Sequence, residues 1–209
     1  MPRTAALALL LLAATALPLS AQADKRPDGW RVRLDEPGPD STKLSFVSMA
    51  PGWHVTTGPA AILYNPATTA KGSFKAETNI FLFQPASGHA EAFGIFFGGT
   101  GLDAEGESYT YFLIRNDGQY LVKRRQGKET KDVIPWTSSP AIKLFDGKSE
   151  SVANALTVVA TPATVDFLIN GTKVASRPRS DLAIDGIVGL RVNHRLNLHV
   201  SKLEVVPTK

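Results

Sequence analysis

Residues 109–125 read YTYFLIRNDGQYLVKRR. Two runs rich in aromatic and β-branched residues flank Asn116-Asp117-Gly118, and a turn of that composition between two such runs predicts a β-hairpin, because Asn and Gly accept the positive φ that closing the strands requires. Residues 165–174, VDFLINGTKV, predict a second hairpin around Asn170-Gly171. The C-terminus adds GIVGLRV and HVSKLEVV, two more runs of strand type on either side of residues 193–197. Helical periodicity is absent after residue 23. The pattern predicts an all-β, two-sheet antiparallel jelly-roll sandwich.

Upstream, residues 24–40 are rich in Pro and charge and contain one short run at 30–34, expected as an edge strand. Short strands are expected at 44–49, 53–58 and 60–65, and a long one at 72–84 that begins with alternation and ends apolar. The run AFGIFFGG at 92–99 is apolar on both parities, so it belongs in the middle of a sheet with both faces covered or with one lining a groove. Residues 100–108, TGLDAEGES, read as an exposed loop. A short strand is expected at 132–136, and two more lie between 155 and 171, separated at Thr161-Pro162.

Arg3, the apolar run 5–17 and Ala21-Gln22-Ala23 have the three-part layout of a secretory signal peptide, so residues 1–23 are expected to be removed and 24–209 to form one domain. The destination is periplasmic or extracellular. The apolar run is shorter than the roughly 20 residues of a membrane span, and no later segment is apolar enough to be one. The absence of cysteine excludes disulfides, thiolate metal sites and a thiol nucleophile. With 23 Lys and Arg against 19 Asp and Glu the chain is mildly basic, but the charges are dispersed and only Lys123-Arg124-Arg125 cluster, which argues against a nucleic-acid partner.

Residues 109–125, 154–174 and 185–205 together resemble the concanavalin A-like lectin/glucanase superfamily, its laminin-G-like jelly rolls in particular. Within it the chain looks most like bacterial exported domains of the 3-keto-disaccharide hydrolase type. The resemblance implies carbohydrate bound or cleaved on the concave face of a curved sheet. The Glu-x-Asp-x-x-Glu strand signature of the glucanases is absent.

Alternation assigns side chains to that face. Turning Val188, Leu190 and Val192 inward places Gly189, Arg191 and Asn193 on the opposite side, and Tyr109, Tyr111, Leu113 and Arg115 share one parity. Tyr109, Tyr111, Arg115, Arg191 and Asn193 are therefore the expected saccharide-binding set, tyrosine rings stacking on sugar faces and Arg or Asn donating to hydroxyls or carboxylates. The two tyrosines read equally as ordinary half-buried strand residues. Glu77, Glu91 and His54 are the acid and rim candidates for glycosidic hydrolysis, which needs two carboxyl groups facing across a groove. They read equally as solvated surface groups. Asp103, Glu105 and Glu107 have the chemistry of calcium ligands without an EF-hand pattern. His54, His89, His194 and His199 show no compact metal spacing; His194 and His199 could meet across the last turn but lack a third ligand, so no metal or other cofactor is expected. Three functions remain: saccharide binding, glycosidic hydrolysis, and a cell-envelope module that binds a protein partner.

Overall fold

A computed structural model describes residues 26–36, 42–85 and 90–208. The expected signal peptide and His89 lie outside these residues. The first of two antiparallel seven-stranded sheets has the order β1 (Arg31–Leu34), β4 (Ala61–Ala70), β13 (Gly186–Val192), β6 (Ala92–Thr100), β7 (Ser108–Arg115), β8 (Gln119–Gln126) and β9 (Glu129–Ser138). The second has the order β12 (Thr172–Pro178), β11 (Thr164–Ile169), β10 (Ser151–Ala160), β5 (Phe74–Phe83), β14 (Asn197–Pro207), β3 (Trp53–Thr56) and β2 (Ser45–Ser48). The two sheets form an all-β jelly-roll sandwich.

Both expected hairpins form. Gly118 turns β7 into β8 at φ 81°, and Asn170 and Gly171 turn β11 into β12 with φ of 50° and 80°, the paired positive values of a tight hairpin turn. The expected strand at 60–65 is longer than its sequence suggests. β4 runs on to Ala70, and its ladder with β13 steps from Tyr64↔Gly189 to Thr69↔Ile187, so Pro66 falls inside a bulge where its missing N–H breaks no ladder bond. β9 likewise begins before the expected 132, because residues 129–131 pair with β8 directly after the Gly127 turn.

The core lies between the sheets. β5 alternates regularly, sending Phe74, Ala76, Thr78, Ile80 and Leu82 inward and Lys75, Glu77, Asn79, Phe81 and Phe83 outward. Phe93, Ile95 and Phe97 of β6, Phe112 and Ile114 of β7, and Val188, Leu190 and Val192 of β13 face these from the first sheet. The expected inward parity of β13 thus holds. β6 is buried on both sides as expected, since all its residues but Thr100 are shielded.

The outward side of the first sheet is close-packed too. Gly189 lies opposite Phe96, and a Cβ there would come within 2.4 Å of the Phe96 ring and 2.5 Å of the Leu63 carbonyl oxygen. Gly189→Ala is expected to cost about 1–3 kcal/mol through overpacking. Urea unfolding measures the cost, and an unchanged midpoint would show that Phe96 gives way freely.

Candidate functional site

The outward face of the first sheet carries a second apolar cluster, separate from the core. Ile62 and Tyr64 of β4, Phe96 of β6, Tyr109, Tyr111 and Leu113 of β7, and Leu121 of β8 are buried there, with Trp136 of β9 packed against them. Tyr109 is central, its ring 5.2 Å from Phe96 and 5.8 Å from Tyr111. The parity expected for Tyr109, Tyr111, Leu113 and Arg115 is the one observed.

A chain of ion pairs covers one end of this cluster. Arg191 of β13 donates from both terminal nitrogens to the two oxygens of Asp35 at 2.5 Å, a bidentate pair. Arg125 of β8 lies 3.3 Å from Asp35 and donates to Glu107 at 3.1 Å. Glu107 also accepts from Arg33 of β1 at 2.8 Å. The chain thus links edge strand β1 to β8 across the face. Beside it Tyr64 donates to Asp103 at 2.6 Å, and Arg31 pairs with the same carboxylate.

Burial alone would raise the Asp35 pKa, but hydrogen bonds and positive charge from Arg191, with Arg125 behind them, outweigh it and hold the carboxyl below its ordinary 3.8. Burial also opposes the charge on Arg191, and Asp35 overcomes it, so the guanidinium is held above its ordinary value. Tyr109, shielded from water, has its phenol pushed up to about 12.

The expected exposed loop at 100–108 is exposed over most of its length, but Leu102 and Glu107 are buried. Arg33 donates to the Leu102 and Ala104 carbonyls, Leu102 joins the outer cluster, and Glu107 is only 3% exposed. Asp103 and Glu107 are held by arginines, and among the described residues no group of three or more His, Cys, Asp or Glu is placed to hold a metal ion.

Of the expected binding set, Tyr109, Tyr111, Arg115 and Arg191 lie on one side of the molecule but not equally at its surface. Tyr109 and Arg191 are 3% and 7% exposed and form the floor, with Tyr111 at 8% only slightly more open. Asn193 lies just past β13, its backbone N–H donating to Ala92 and its carbonyl accepting from Thr57. The accessible part lies toward β9. There the Arg115 guanidinium sits 3.9 Å above the Trp136 ring and is held from behind by Asp117 and Gln119, while Lys123 stands opposite Tyr111. Trp136 and Asp35 are absent from the expected set, and Lys123 and Arg125 stand out in the sequence only as part of a basic cluster; the alternation of residues 119–125, extended from Leu121, places both on this face.

The acid and rim candidates do not converge. Glu77 of β5 and His54 of β3 face outward from the second sheet, with the whole sandwich between them and Tyr111. They cannot serve a groove on the first sheet. Glu77 is also engaged by Lys202, Lys75 and Thr157, and the Lys202 hydrogen bond is the main cause of its lowered pKa, the opposite of what a proton donor needs. Glu91 lies at the start of β6, 3.8 Å from Nδ1 of His194.

Comparison with solved structures fixes the class of fold. The carbohydrate binding module CBM66 from Bacillus subtilis superposes with a TM-score of 0.61 at 12% identity, covering 85% of this chain and 94% of the other. A Bacillus subtilis protein of unknown function with a galectin-like fold gives 0.60 at 10%, covering 85% and 89%. A glycoside hydrolase family 16 endo-glucanase from Bacteroides ovatus gives 0.57 at 11%, covering 85% and 94%. The fold is a concanavalin A-like jelly-roll sandwich. No protein-family model and no curated protein sequence matches the chain. Among the described residues no helix is long and apolar enough to cross a membrane.

Because the Asp35 pKa is lower folded than unfolded, the stabilisation is fully present above its ordinary 3.8 and is lost as pH falls through the lowered folded value. Asp35→Asn leaves Arg191 without its charge partner and is expected to cost about 2–3 kcal/mol at neutral pH, less than the ~3–5 of a fully buried pair because Asp35 is part-exposed. Unfolding curves should show that gap closing below about pH 4. A gap independent of pH would mean that the Asp35 charge contributes nothing.

Proposed function

We propose that this is an exported carbohydrate-binding protein that seats an oligo- or polysaccharide on the outward face of the first sheet, over Tyr111, Lys123, Arg115 and Trp136. The observation that carries the reading is the stack of the Arg115 guanidinium on Trp136 beside the Tyr111–Lys123 cross-strand pair. Aromatic surface next to fixed cationic donors suits a ligand with apolar ring faces and hydroxyl or carboxylate edges. Tyr109 and Arg191 act from beneath, holding Tyr111 in place, and Asn193 stands at the rim. A carbohydrate binding module and an endo-glucanase among the structural neighbours support a saccharide as the ligand class. Export to the periplasm or the exterior rests on the leader-like residues 1–23.

Incubating the purified protein with neutral, acidic and 3-keto oligosaccharides, and reading complexes and products by mass spectrometry, tests this function. Complexes without new products are expected, with Trp136→Ala and Lys123→Ala each weakening binding about tenfold, or 1.4 kcal/mol. New products would instead make the protein a glycosidic hydrolase and direct attention to Glu91. Neither complexes nor products would overturn the reading in favour of a protein partner in the cell envelope.

A further inference from the structure

The outward face of the second sheet carries a different cluster. Strand register sets Val47 of β2 opposite His54 of β3, His54 opposite His199 of β14, and His199 opposite Phe81 of β5. Directly opposed residues on adjacent antiparallel strands place their Cβ atoms about 4.5–5.5 Å apart on one face, so the two imidazoles stand side by side. Phenylalanine rings flank them, Phe83 at 5.7 Å from His54 and Phe81 at 5.8 Å from His199. Asn197, two residues before His199, lies on the same face.

Both Nδ1 atoms, of His54 and of His199, are buried without a hydrogen-bond partner. Two such orphans on adjoining rings call for an explanation, because buried polar atoms in native structures are nearly always satisfied. An imidazole binds a metal through the lone pair of an unprotonated ring nitrogen.

We propose that His54 and His199, with the side-chain oxygen of Asn197 as a supplementary donor, bind one divalent transition-metal ion of the Cu2+, Ni2+ or Zn2+ class. Two imidazoles without a carboxylate suit these ions and not Ca2+ or Mg2+, which require several hard oxygen ligands. One ring nitrogen from each histidine holds the ion, and water completes its coordination. A shared ion would supply the orphaned nitrogens with the partner they lack. It would also tie β3, early in the chain, to β14 at its end, without touching the saccharide face.

Adding CuCl2, NiCl2 or ZnCl2 to the purified protein should raise the melting temperature by about 5–10 °C at a concentration a hundredfold above Kd, with MgCl2 and CaCl2 inert. His54→Gln and His199→Gln should each weaken binding at least about tenfold, or 1.4 kcal/mol, while His194→Gln leaves it unchanged. Paramagnetic broadening by Cu2+ in the unaltered protein gives a second reading that does not depend on any variant folding. It should centre on Val47, Val55, Phe81 and Leu198 and spare Tyr111 and Trp136. Absence of binding, binding that survives both histidine variants, or broadening centred on His194 would each overturn the proposal.

Discussion

The first sheet is apolar on both faces, and that constraint governs what surrounds it. β6 has no solvent-facing side until Thr100, and Tyr109, Phe96, Tyr64 and Leu113 add apolar surface pointing away from the core. Left open, so wide an apolar face would be an association liability. The chain covers one end of it with the 101–107 loop, the arginine side chains of β1 and the linked pairs Arg33–Glu107, Glu107–Arg125, Arg125–Asp35 and Asp35–Arg191. Charges so placed lose much of their hydration, and their mutual attraction only partly offsets that loss, so the arrangement contributes position more than stability. It fixes where Arg191 and Tyr111 stand.

The cover is incomplete, and its gap is the candidate site. Beyond Arg125 the linked chain ends, and the outward side of β7, β8 and β9 offers Arg115, Lys123 and Trp136 around the nearly buried Tyr111, with Arg115 paired to Asp117 and Lys123 to Asp132. Aromatic surface beside anchored cations is thus a product of the same packing problem solved differently along one sheet. The second sheet meets solvent by alternation, inward apolar residues against outward ones that are mostly polar, with Phe81 and Phe83 outward beside His199 and His54.

Local signals made much of the fold legible. Asn116-Asp117-Gly118 and Asn170-Gly171 specify their turns by the backbone angles they permit, and the parity of residues 186–192 assigns Val188 and Arg191 to opposite faces from side-chain alternation alone. What sequence left hidden depends on non-local pairing. His54 and Glu77 look equivalent to Tyr111 as strand residues until strand order places them in the other sheet. Sequence allows His199 to meet His194 across the last turn, but its cross-strand neighbour is His54, far away in the chain. The burial of Glu107 was likewise unreadable, because the arginine that shields it, Arg33, comes from the opposite edge of the sheet. Trp136 carried no local mark of its role, since the Arg115 that stacks on it sits beyond the intervening strand β8.

The most direct measurement is nuclear magnetic resonance mapping of the isotopically labelled protein during titration with an oligosaccharide that forms a complex. Perturbed resonances should gather on Tyr111, Arg115, Lys123 and Trp136 and fade toward β1. Perturbations centred on the second sheet, or scattered without a focus, would contradict a saccharide site on the outward face of the first.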